Sequence, residues 1–117
     1  MGLFFLSIVM KVIENDNYII KCGQNQNEND QIIRSSDNDS LWFHLDKMPS
    51  PHVVMEKKDT DYEWTKGDYN LAASICKMNS KAKNWTVNVI VTKISKLKLC
   101  DIKGQVDIIG KVKKIKL

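Results

Sequence analysis

The sequence predicts an α+β fold: a single domain over residues 1–117, built on a mainly antiparallel, twisted sheet with one principal helix and a short second helix. Three observations carry that expectation. Short apolar stretches rich in β-branched and aromatic residues recur along the chain, separated by Asn-, Asp-, Pro- or Gly-rich turns. One segment alone, residues 67–82, keeps a helical apolar spacing over several turns. No internal repeat, proline-rich linker or heptad run divides the 117 residues, a length that suits one domain with its own core.

In chain order, residues 3–13 are apolar and favour strand, Glu14-Asn15-Asp16-Asn17 is a turn cluster, and residues 18–22 read as the returning strand of a hairpin that Gly23 ends. Residues 25–35 are polar with Ile32 and Ile33 as apolar anchors, which suits the short helix. Residues 41–45 and 52–55 are two strands joined by Met48-Pro49-Ser50-Pro51, whose prolines cannot donate to a ladder. Residues 57–66 form a charged loop containing Tyr62 and Trp64. The principal helix follows, with Asp68 expected as its N-cap. Val87, Val89 and Val91 place one face of a strand over residues 86–92, and residues 106–109 and 111–117 are two closing strands around Gly110.

With 43% hydrophobic and 27% charged residues, the composition is that of an ordinary soluble globular protein. Cys22, Cys76 and Cys100 lie far apart and form no Cys-x-x-Cys pair, so no zinc knuckle or redox motif is expected. They read as small apolar residues in a reducing, intracellular setting. Residues 3–10 are too few to span a bilayer, which needs ~20 apolar residues. They also lack the basic start and small-residue cleavage site of a signal peptide, and no membrane insertion is expected.

Charge is distributed unevenly. Residues 1–63 carry 6 basic and 11 acidic side chains, net −5, whereas residues 64–117 carry 12 and 3, net +9. Such asymmetry is the footprint of a polyanion-binding surface, or of a solvated lysine-rich face in a chain from an AT-rich genome, whose one arginine is Arg34. Lysine is a point charge, suited to phosphate and poor at bidentate base reading, so binding directed at backbone and shape is expected.

Three segments, in order, resemble the NFACT-R domain, the RNA-binding domain of ribosome-quality-control proteins. Gly23-Gln24-Asn25-Gln26-Asn27-Glu28-Asn29-Asp30 looks like that family's Gly-x-Asn-x-x-x-Asn-Asp loop. Trp42-Phe43-His44-Leu45, leading through Pro49 to His52-Val53-Val54, is similar to its Trp-x-His and Pro-Gly-Ser-His-Val segment. Ser80-Lys81-Ala82-Lys83 resembles its Ser-Lys-Ala-Arg. The chain is similar to the short stand-alone members, without their charged helical tail. Ser50-Pro51 replaces Gly-Ser before the second histidine, which stiffens the turn and removes a backbone donor.

The resemblance implies an RNA-binding module, for tRNA or rRNA with DNA as another candidate ligand, linked to the ribosome, to ribosome quality control or to translation. It implies no cofactor and no enzymatic activity. Candidate nucleic-acid-binding residues are Asn25, Asn29, Asp30, His44, His52, Ser80, Lys81, Lys83, Lys113 and Lys114. Each has a second reading. His44 and His52 suit structural hydrogen bonds, phosphate or base contact, or catalysis, and two histidines are too few for a metal set. Asn25, Asn29 and Asp30 suit a turn or a helix cap. Trp42 is expected in the core beside the helix, while Tyr62, Trp64 and Trp85 suit either packing or stacking on bases. Two other functions stand beside RNA binding: a protein-interaction adaptor competing for a ribosomal site, and a nucleic-acid-processing enzyme using His44 and His52. Neither the specific nucleic acid nor the oligomeric state is legible in the sequence.

Overall fold

A computed structural model describes residues 11–117. The first part of the expected N-terminal strand, residues 3–10, lies outside them. Strand β1 (Lys11–Glu14) turns into β2 (Tyr18–Cys22) where the Asn15 side chain accepts from the amides of Asn17 and Tyr18, both at 2.9 Å. That local bond is what a short amide side chain supplies in a turn. Helix α1 (Gln26–Ser35) follows, then β3 (Leu41–Leu45) and β4 (Val53–Lys57). Helix α2 (Lys66–Met78) leads to β5 (Asn88–Lys93), and a 3-10 turn (Ile94–Lys96) passes the chain to β6 (Leu97–Leu99). Strands β7 (Val106–Ile108) and β8 (Lys113–Lys116) end the fold.

Six strands form one sheet in the order β1-β2-β4-β3-β5-β8, antiparallel throughout, and β6 with β7 forms a separate hairpin. Side chains alternate across the sheet with period two. Ile20, Phe43, Met55 and Val89 face α2, whose Ala72, Ala73 and Cys76 are small enough to bring the helix close to the strands. Trp42, Val54 and Ile90 face the other way, under Ile32 and Ile33 of α1 and the apolar residues of the β6-β7 hairpin. Strands β4, β3 and β5 are therefore covered on both sides.

The α+β expectation holds, with two helices and an antiparallel sheet. Three details change. The cap of α2 is Thr65, not Asp68; Asp68 sits three residues later, and its carboxylate accepts in return from the Thr65 amide at 2.9 Å. This is the reciprocal pair of a capping box, and it starts the helix earlier than the apolar spacing does. Residues 106–109 and 111–117 are not partners around Gly110: β7 pairs with β6, and β8 crosses to β5. Trp42 is buried, 2% exposed, but beside the short helix α1 and not the principal one.

Candidate nucleic-acid interface

At the end of the sheet where β2 stops and β4 starts, segments distant in sequence enclose a groove of about 710 Å³. Gly23 and the first turn of α1 form one wall, the 48–51 turn another, and the chain leaving α2, from Asn79 to Trp85, a third. Each wall is fixed by local chemistry.

The first wall depends on Asn29. After the last ladder pair, Cys22 with Val53, the Gly23 amide still donates to the His52 carbonyl at 3.0 Å. The Asn29 side-chain oxygen then accepts the His52 amide at 3.1 Å, so it extends the ladder by one bond. A Cβ on residue 23 would stand 2.1 Å from that oxygen, which explains the glycine. Asn25 caps α1 by accepting from the Glu28 amide at 2.9 Å, and Glu28 in return accepts from the Gln24 amide at 2.8 Å. The positive end of the helix is thus already matched to its own carboxylate. Asp30 accepts from Arg34 Nε at 2.7 Å, and that guanidinium holds its carboxyl below the usual aspartate range.

In the second wall, the Ser50 hydroxyl accepts from the Leu45 amide and donates to the Pro51 carbonyl, each at 3.0 Å. Cys76 Sγ donates to the same carbonyl at 3.5 Å, tying the turn to α2. In the third, Ser80 accepts from the Ala82 amide at 3.1 Å and donates to the Lys77 carbonyl at 2.6 Å. Ala82 is fully buried, and between these anchors Lys81 projects at the groove. Trp85, whose amide bonds to the Ala82 carbonyl at 2.9 Å, lines it too and is 58% exposed. Lys11 of β1 also reaches it, donating to Asn79 Oδ1.

The histidines are elsewhere. Trp42 Nε1 donates to His52 Nδ1 at 3.1 Å, so neutral His52 carries its proton on Nε2. His44 stacks on Trp42, ring centroids 5.5 Å apart, and its Nδ1 donates to the Leu45 carbonyl at 2.7 Å. Burial, with His44 alongside, pushes His52 down to about 3, and burial lowers His44 as well. Neither ring lines the groove. Burial also pushes the Cys22 thiol up to about 11 and Cys76 up to about 12, so both stay protonated at neutral pH. Among the described residues, no three His, Cys, Asp or Glu side chains gather as a metal set would.

Of the ten candidate residues, Asn25, Asn29, Ser80 and Lys81 meet at the groove, and Lys83 is exposed just beyond it. Asp30, His44 and His52 are committed to internal bonds. Lys113 and Lys114 lie on β8, on opposite faces of the sheet. Lys113 Nζ sits 4.2 Å from the Tyr69 ring centre, and Lys114 pairs with Asp46 at 3.2 Å. The sequence did not point to Lys11 as a groove residue, because only the closing of the fold brings it beside the other walls.

Residues 4–112 match the family model described as the NFACT protein RNA binding domain. The chain belongs to that family. This NFACT RNA-binding domain is 31% identical over 90 residues to mouse coiled-coil domain-containing protein 25, an alignment spanning 74% of this chain and 43% of that protein. Its fold matches the C-terminal part of the fibronectin/fibrinogen-binding protein from Streptococcus suis with a TM-score of 0.74 and 25% identity. That match covers 92% of this chain and 46% of the other. The chain spans less than half the length of both relatives. Among the described residues of this NFACT domain, no helix is long and apolar enough to cross a membrane.

Proposed function

We propose that this NFACT domain binds RNA at the groove and along the lysines beside it, reading backbone and shape, and that its RNA is tRNA or rRNA handled during translation or ribosome quality control. Membership of an RNA-binding family supports the ligand class. One observation carries the location: the Gly23–Asn29, Pro49–Pro51 and Ser80–Lys81 segments, far apart in the chain, meet around one groove with a lysine at its lip. Most of the polar side chains there serve the fold, so the free ammonium groups supply the attraction, and ammonium groups hold phosphate without discriminating bases.

Titration of the full chain with labelled tRNA over a range of salt tests this. Affinity should fall linearly on a log–log scale, as expected when each neutralised phosphate releases a counterion. Affinity independent of salt, or no binding to any RNA, would overturn the reading and favour a protein-interaction adaptor. Crosslinking in the native cell identifies the RNA, and recovery of tRNA or rRNA is the expected result.

A further inference from the structure

The three tryptophans of this chain have different surroundings. Trp42 is buried under α1. Trp64 packs on Tyr18, centroids 5.7 Å apart, and on Tyr62 at the same distance. Trp85 alone leaves most of its ring to solvent, at 58% exposed, and does so inside a concavity. A large apolar ring costs free energy when it faces water, and the backbone that carries it here is held in place. Its amide is bonded to the buried Ala82, and the Ser80 hydroxyl fixes the start of the same turn. Little backbone ordering of this turn remains to be done when a flat ligand arrives.

The rest of the groove sets the chemistry of that ligand. Met48, Pro49 and Pro51 line the same groove with apolar surface, and the volume of about 710 Å³ is in the range that houses small ligands. Positive charge comes from Lys81 and from Lys11, whose hydrogen-bond partner Asn79 is neutral. On the α1 side the Glu28 carboxylate occupies the helix end, so an anionic group is favoured beside Lys81 and disfavoured at the helix. A flat aromatic face, apolar lining and a lysine cation in one groove fit a nucleotide whose base is free to leave its neighbours.

We propose that the groove takes an unpaired nucleotide of a single-stranded RNA segment, its base stacked on Trp85 and its phosphate met by Lys81. The proposal rests on the RNA-binding reading and narrows it, because bases inside a duplex cannot present their faces to a side chain. Stacking tolerates any base, which agrees with binding that reads little sequence.

The test uses the full chain with three probes: a short uridine oligonucleotide, a blunt RNA duplex of equal length, and uridine monophosphate. The parent should prefer the single strand. Trp85→Ala should weaken single-strand binding roughly tenfold or more and duplex binding little, given what such stacking contributes per base. Trp85→Phe should keep most of the affinity. Should Trp85→Ala melt early, quenching of the solvent-exposed tryptophan emission of the parent by the oligonucleotide reads the same contact. A Trp85→Ala chain that is folded and binds the oligonucleotide like the parent, or absent quenching, overturns the stacking. A parent that binds only the duplex also overturns it while leaving the RNA-binding reading in place. Binding of neither RNA overturns both. Monophosphate competing as well as the oligonucleotide would make the ligand a free nucleotide and defeat the single-strand assignment.

Discussion

Trp42 and His52, ten positions apart, share a buried hydrogen bond in which the indole Nε1 donates to the imidazole Nδ1 at 3.1 Å. The bond requires His52 to be neutral, since a protonated ring has no acceptor nitrogen. The centre of the domain therefore holds a histidine that resists protonation.

That relationship predicts acid sensitivity. An unfolded histidine takes a proton near 6.5, whereas folded His52 does so only at about 3. Between these values the unfolded state binds more protons, so stability is full above about 6.5 and falls as the pH drops through this window. From neutral pH to about 5, the share of the loss due to His52 should reach about 2 kcal/mol, and His44, lowered by the same burial, adds to it in the same direction. Urea melts at the two pH values measure it. His52→Asn, which keeps an acceptor for Trp42, should flatten the dependence. Asp30, held low by Arg34, contributes only at pH values below this range.

Trp42→Ala should damage the fold and spare the interface. The ring is 2% exposed and supports His44 and His52 as well as α1, so its truncation should cost ~3–5 kcal/mol. Thermal melts give the cost, and RNA titration at a temperature where the variant is folded should give nearly the parent affinity. A variant that melts like the parent but no longer binds RNA would make Trp42 a ligand-binding residue.

Gly23→Ala should destabilise by ~1–3 kcal/mol, because the new methyl occupies the place of Asn29 Oδ1 and leaves the His52 amide without its partner. Asn29→Ala removes the clash and the bond together. The two changes combined should cost less than the sum of the single losses, as residues that touch do. Additive costs, read from denaturant midpoints, would show that the glycine serves some other purpose.

Charge reversal maps the footprint. Lys81→Glu with Lys83→Glu should weaken RNA binding at moderate salt and flatten the log–log slope by about 0.7 for each single-strand phosphate that is no longer neutralised. Lys57→Glu with Lys58→Glu, in the acidic half, should do much less. Lys113→Glu and Lys114→Glu are best made separately, since the two side chains lie on opposite faces and one is paired with Asp46. Equal losses from all sets would exclude a one-sided footprint.

What could be read from the sequence was what neighbours in sequence decide. The valines at 87, 89 and 91 share a face because strand geometry alternates, and all three pack toward α2. Asn25 and the Asn15 turn act through amides two or three residues away, so their roles were within reach of pattern reading. The partners of β7 and β8 were not. Gly110 has a φ of 86° and turns the chain, but whether a turn closes a hairpin depends on which strands lack partners elsewhere. Leu97-Lys98-Leu99 is too short to announce itself as a strand amid its lysines. The groove was legible in part: Asn25, Asn29, Ser80 and Lys81 stand out in the sequence and line it, but that they meet Lys11 and Trp85 was not, since these carry no shared local pattern and Asn29 acts on a residue 23 positions away.

Because α2 packs on one side of β3, β4 and β5 and α1 with the β6-β7 hairpin packs on the other, the central strands have no open platform for bases. RNA-recognition sheets of the RRM kind hold nucleotides against exposed strand aromatics. Here the rings of those strands, Trp42 and Phe43, are sealed inside, and the proposed groove lies instead at the rim, among turns and helix ends. Substitutions at the rim are thereby separable from the interior that keeps the domain folded.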